Sequence, residues 1–213
     1  MPNWCNCTYK CVGELKEVKS LHKNLKYIDK RKTSILKNGF GKWWLGNLVT
    51  KLGGDWEKYR CRGEITGYEL NDNVLTIHQS TAWCEQEGVR EIIEEKFPFI
   101  KVYYREEESG CGVFYTNDVA GEYFPERYYL DSCGDDSEYF RTIEAATEYI
   151  SGIVGKKVEP EKNAIEEALN EYMEEKGDDD VWYSFHEFTV VGKRLSKYIF
   201  YSSFSLLTFA TKK

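Results

Sequence analysis

Apolar and polar side chains take turns along the first dozen residues. Cys5, Cys7, Tyr9 and Cys11 fall on one side, Asn6, Thr8 and Lys10 on the other, the period of two that a half-buried β-strand requires. Gly13 ends the run. Leu15, Val18, Leu21, His22 and Leu25 then recur at helical spacing and predict an amphipathic helix. A basic connection over 28–41 closes on Asn38-Gly39-Phe40-Gly41, and a short helix is expected around Trp43–Leu52, stopped by Gly53-Gly54. Two β runs, Arg60–Leu70 and Val74–Ser80, flank Asn71-Asp72-Asn73, whose tolerance of positive φ predicts a hairpin. A helix is expected over Glu85–Lys96, with Val89, Ile92 and Ile93 on its inner face and Phe97-Pro98 at its end. Three further strands follow, at Ile100–Arg105, Val113–Thr116 and Tyr123–Leu130, the last kinked at Pro125.

Strand, helix, hairpin, helix, strand, with a β extension, is the order of an α+β fold. It suits a two-layer sandwich of ferredoxin-like type, an antiparallel sheet with helices on one face. The texture changes at Asp131. The acidic turn Cys133-Gly134-Asp135-Asp136 leads to expected helices near Arg141–Ile153 and Glu159–Glu175, then a solvated break at Gly177–Asp180 and two aromatic-rich segments, Val181–Val191 and Tyr198–Ala210. The division drawn from this is a core domain over 1–131 and a mostly helical extension over 132–213. Tyr198–Ala210 is too short for the ~20 residues of a membrane span and reads as a buried helix or strand.

The aromatic share, 15% of 213 residues, supplies ample surface to bury and excludes disordered and fibrous classes. A formal charge of −7 makes the chain a poor default binder of phosphate backbones. The charge is uneven, however. Residues 1–60 hold 13 Lys/Arg against 5 Asp/Glu, and 61–213 hold 16 against 31. The basic residues Lys23, Lys26, Lys30, Arg31, Lys32 and Lys37 read first as a solvated helix face and loop. Weak nucleic-acid binding through 23–37 is an alternative, but nucleic acid is disfavoured as a partner. Seven cysteines, with no charged and apolar leader at the start, predict free thiols and a cytoplasmic protein, with no membrane partner.

Cys5, Cys7 and Cys11 tempt a zinc reading. Their strand spacing spreads the sulfurs ~6–7 Å apart or more instead of converging them on a tetrahedron, so core packing is expected and no metal or cofactor. A thiol enzyme would need a base beside its cysteine; Cys84 with His78 is the pair to weigh, and no third orienting residue can be named. His22 lies on the apolar helix face, and His78 on the strand face opposite Leu75 and Ile77, free to touch a partner. The carboxylate runs Glu94-Glu95, Glu106-Glu107-Glu108 and Asp178–Asp180 read as charged surface. Tyr103 is a possible stacking platform on an open sheet, without the aromatic-basic signature of an RNA reader. No phosphate loop, dinucleotide fingerprint, nucleophile elbow or zincin motif is present.

The tryptophans at strand ends stand out. Trp4 opens the first strand, Trp56 precedes the second, and Trp83 follows the third in Ser80-Thr81-Ala82-Trp83, with Trp43-Trp44 between. Indoles of this kind pack cores or form the rim of a protein-binding surface. The expected binding residues are Trp4, Trp56, His78, Thr81 and Trp83, with no catalytic residue.

The opening Met1-Pro2-Asn3-Trp4-Cys5-Asn6, with Gly13 ending the strand, resembles the start of the YubB-like (Api-type) proteins of phages, plasmids and conjugative elements. Trp56, Thr81-Ala82-Trp83, Phe97-Pro98 and Glu107–Gly112 fall in that family's order, over about residues 1–130. The resemblance implies a ferredoxin-like domain and a mobile-element accessory protein of unknown function, and it carries no catalytic residues. Cys7 and Cys11 depart from the family's polar or aliphatic residues, Cys84-Glu85-Gln86 replaces its usual Ser-Pro-Pro, and the segment after 131 lies outside the pattern. The function expected is that of a non-enzymatic module binding a protein partner through the aromatic rim or the acidic C-terminal half; the alternative is an enzyme using Cys84 and His78.

Overall fold

The computed structural model describes residues 3–133, 137–177 and 181–192. Strand β1 (Trp4–Gly13) is followed by helices α1 (Leu15–Asp29) and α2 (Leu45–Lys51), the hairpin β2 (Gly63–Asn71) and β3 (Val74–Ala82), α3 (Glu87–Lys96), β4 (Ile100–Glu108) and β5 (Val113–Thr116). Asp72 takes φ 51° in the hairpin turn, the left-handed conformation that an Asp tolerates. Then come β6 (Tyr128–Ser132), β7 (Glu138–Phe140), α4 (Ile143–Val154), α5 (Lys162–Lys176), β8 (Tyr183–Glu187) and β9 (Thr189–Val190). Among these helices none is long and apolar enough to cross a membrane.

The main sheet has six strands in the order β2-β3-β1-β4-β5-β9. Every pair from β2 to β5 is antiparallel, and β9 joins β5 in parallel. The alternation along β1 is realised in full: Cys5, Cys7, Tyr9 and Cys11 are buried on one face. Flanking strands continue their rows, Leu75–Cys11–Val102 and Ile77–Tyr9–Tyr104. Over this face lie Val18, Leu21, Leu25 and Ile28 of α1, Leu45, Leu48 and Val49 of α2, and Val89, Ile92 and Ile93 of α3. Each large aliphatic buried there contributes ~1.5–3 kcal/mol. The result is a two-layer α+β arrangement.

The second sheet, β7-β6-β8, is antiparallel and rests on α4 and α5 through Leu130, Phe140, Ala146, Ile150, Ile165, Leu169 and Phe185. It modifies the expected division at 131, because β6 straddles that point, and it adds strands to an extension expected to be mostly helical. The Val181–Val191 segment supplies β8 and β9, while Tyr198–Ala210 lies outside the described residues.

Two expected boundaries also move, for identifiable reasons. Tyr123 and Phe124 do not enter a ladder, because their N–H groups donate to the Asp118 carboxylate at 2.7 and 2.8 Å. Residues 60–62 stay outside β2. The Arg62 N–H is claimed by the Gln86 side chain at 2.7 Å, and Gly88 sits so close that a Cβ there would lie 2.3 Å from Arg60 N.

Candidate functional site

Two irregular segments, 40–44 and 56–62, meet the start of β1 and the end of β3 and form an open groove of about 750 Å³. Its aromatic lining is Trp4, Phe40, Trp44, Trp56 and Tyr59. Phe40 stacks on Trp44 with ring centroids 4.7 Å apart, and Trp56 meets Trp44 edge-on at 5.2 Å. Trp4 and Phe40 are 57% and 54% exposed, so the groove presents apolar rings to solvent. Arg60, Arg62, Glu57 and Glu64 add charges of both signs to the lining.

Local hydrogen bonding explains why these rings converge. The buried Asn47 amide donates to Gly41 O and Lys42 O, and its Oδ1 accepts from Ser34 Oγ and the Ile35 N–H. One side chain thus organises the loop that carries Phe40. Trp44 forms a β-bridge with Glu64, which ties the start of α2 to the start of β2. The Asp55 carboxylate accepts the Glu57 N–H at 3.1 Å and shapes the turn bearing Trp56. Tyr59 is held by its hydroxyl, which donates to Glu95 Oε2 at 2.6 Å.

Beside the groove the core face turns polar. Gln79, Cys7 and Glu106 form one row across β3, β1 and β4. Glu106 accepts the Glu85 backbone N–H, and Glu85 in turn accepts from Tyr9 Oη at 2.6 Å and Arg90 Nε at 3.0 Å. Burial pushes the Glu106 carboxyl up to about 8, against the lowering effect of that backbone hydrogen bond. Burial raises Glu85 too, with Arg90 opposing it. Burial holds the thiols protonated: Cys5 is pushed up to about 12 and Cys84 to about 11, and Cys7 and Cys11 are raised as well. Arg60 joins the two regions, lining the groove while hydrogen-bonded to the Cys84 side chain.

The expected binding residues separate. Trp4 and Trp56 come together in the groove, which Ala82 also lines. Thr81 does not reach the surface: it is fully buried on the core face and donates to Cys5 O at 3.3 Å. His78 projects from the opposite face of the sheet, 3.3 Å from Thr8 Oγ1, whereas Cys84 belongs to the core-face cluster. The structure therefore does not bring Cys84 and His78 together. Trp83, 42% exposed, lies just past β3 at φ 74°, an unusual backbone for a bulky residue, and its N–H donates to Asn3 O at 2.9 Å. His22 sits edge-on to Tyr68, and the Tyr103 ring lies tilted against Tyr123 with centroids 4.5 Å apart.

Phe40, Tyr59 and Arg60 are groove residues that the sequence pattern did not single out, since each lies on a loop without periodicity. Among the described residues no group of three or more His, Cys, Asp or Glu could hold a metal ion. No family model matches the chain, and no curated protein or solved structure matches it either.

Proposed function

We propose that this protein is a non-enzymatic interaction module that binds a protein partner through the aromatic groove, as a cytoplasmic accessory factor of the YubB-like kind with a ferredoxin-like core domain. The observation that carries the reading is the convergence of Trp4, Phe40, Trp44, Trp56 and Tyr59 on one open groove. Aromatic side chains of this kind anchor binding because they bury much area at little conformational cost. The strand order β2-β3-β1-β4, antiparallel throughout, supports the ferredoxin-like assignment.

The chemistry nearby supports binding over catalysis. A thiol nucleophile must be ionised near neutral pH, and burial holds Cys84 far from that state. His78 is on the other face of the sheet and is not positioned to take its proton.

Selection from a displayed peptide library tests the reading. The protein is expected to enrich peptides with an aromatic or large aliphatic anchor, and the Trp4→Ala/Phe40→Ala double variant is expected to lose them. Both residues are more than half exposed, so the fold survives their loss. No enrichment, or equal binding by the double variant, overturns the assignment.

A further inference from the structure

Helix α1 carries a second surface, remote in chemistry from the groove. Lys16, Lys19, Lys23, Lys26 and Lys30 succeed one another at spacings of three and four. At 3.6 residues per turn they fall within an arc of about 80° and span about 21 Å. The stripe lies opposite the buried Val18, Leu21, Leu25 and Ile28, and the four lysines within the helix, with Lys30 at its C-cap, are exposed.

The stripe is uncompensated. The two acidic residues of α1 are committed elsewhere: Asp29 pairs with Lys42 at 3.4 Å, and Glu17 accepts the Phe99 N–H at 2.9 Å. No ion pair among the described residues involves any of the five lysines. A chain with 31 Asp/Glu beyond residue 60 thus keeps an acid-free row of cations on one helix.

We propose that this lysine stripe is a docking surface for the phosphate backbone of duplex nucleic acid, bound without regard to sequence. Lysine is a compact point charge suited to phosphates, and a phosphate backbone is a line of single charges that such a row complements. The stripe has no apolar residue at its centre, as a protein interface would require. It has no row of stacking rings, as a single-strand binder would require. Tyr27, at its C-terminal end, is already covered by Lys51 at 4.1 Å and Arg31 at 5.6 Å.

Fluorescence anisotropy with a labelled 20-base-pair DNA duplex, titrated from 50 to 200 mM salt, tests the proposal. With about four phosphates contacted, affinity is expected to fall roughly a hundredfold across that range. The Lys19→Gln/Lys23→Gln/Lys26→Gln variant is expected to flatten the salt slope by about 2.7, and Lys157→Gln/Lys162→Gln to leave it unchanged. Absence of binding at 50 mM salt, a salt-independent affinity, or an unchanged slope in the triple variant overturns the proposal. Tighter binding of a single strand of equal length, or of polyglutamate, overturns it as well.

Discussion

The Tyr9 hydroxyl donates to Glu85 Oε1 across 2.6 Å, joining the central strand of the main sheet to the turn that follows Trp83. The same hydroxyl reaches Gln86 O at 3.0 Å, and the Gln86 side chain holds Arg62 of the groove by its backbone N–H. One phenol in the sheet thereby fixes a segment that supports the groove. Tyr9→Phe keeps the ring and removes both bonds, leaving Glu85 with Arg90 alone. A loss of about 1–3 kcal/mol is expected, read from the urea midpoint, because a buried charged acceptor loses its donor. An unchanged midpoint would show that the phenol is not needed there.

Glu106 gives the fold a pH dependence whose direction follows from its environment. Its carboxyl ionises near 4.5 when exposed and at about 8 when folded. The folded state therefore keeps a proton that the unfolded state has released. Its contribution to stability is complete below about 4.5 and is lost as pH rises through about 8. Glu106→Gln retains an acceptor for the Glu85 N–H without the charge. The variant is expected to be more stable than wild type at pH 9 and close to it at pH 5, by urea unfolding at both values. Parallel pH profiles for the two proteins would count against the assignment.

Trp83 tests the backbone at the end of β3. A non-glycine residue with positive φ costs roughly 1–2 kcal/mol relative to glycine. Trp83→Gly is accordingly expected to be more stable than Trp83→Ala by about 1 kcal/mol, the reverse of the usual order in regular structure. Equal stabilities would show that the left-handed conformation is not kept in solution.

Arg105 ties the second sheet to the outer face of the first. It pairs with Glu107 at 2.8 Å and Glu126 at 3.3 Å, and its guanidinium lies 4.4 Å from the centre of the Tyr139 ring. Tyr139 itself donates to Glu107 Oε2 at 2.7 Å. Arg105→Met takes the cation from two carboxylates, leaving Glu107 only the Tyr139 hydroxyl, and is expected to cost about 2 kcal/mol, with faster hydrogen exchange in Tyr128–Ser132. Unaltered exchange in that strand would remove Arg105 from the junction.

Elements governed by local periodicity are legible in the sequence. The alternation Cys5–Cys11 gave β1 and its buried face; Val18, Leu21 and Leu25 gave α1; Val113–Thr116 gave β5 to the residue. What escaped depended on side chains reaching across sequence. The start of β6 moved because Asp118 captures the Tyr123 and Phe124 N–H groups, and β7 is only three residues long. Trp4 and Trp56 were legible as a rim, but their meeting with Phe40 rests on Asn47 and on the Trp44–Glu64 bridge, neither of which leaves a periodic trace. Thr81 is kept from the surface for a simpler reason: it shares the core face with Cys5, its partner across the ladder.

The most direct test of the groove reading is the set of six indole N–H resonances, followed by NMR as a selected peptide is added. Trp4, Trp44 and Trp56 line the groove, whereas Trp182 precedes β8 in the second sheet. The account predicts that the first three resonances move together with a single affinity while that of Trp182 stays in place. Movement of Trp182 with Trp4, Trp44 and Trp56 stationary would contradict it.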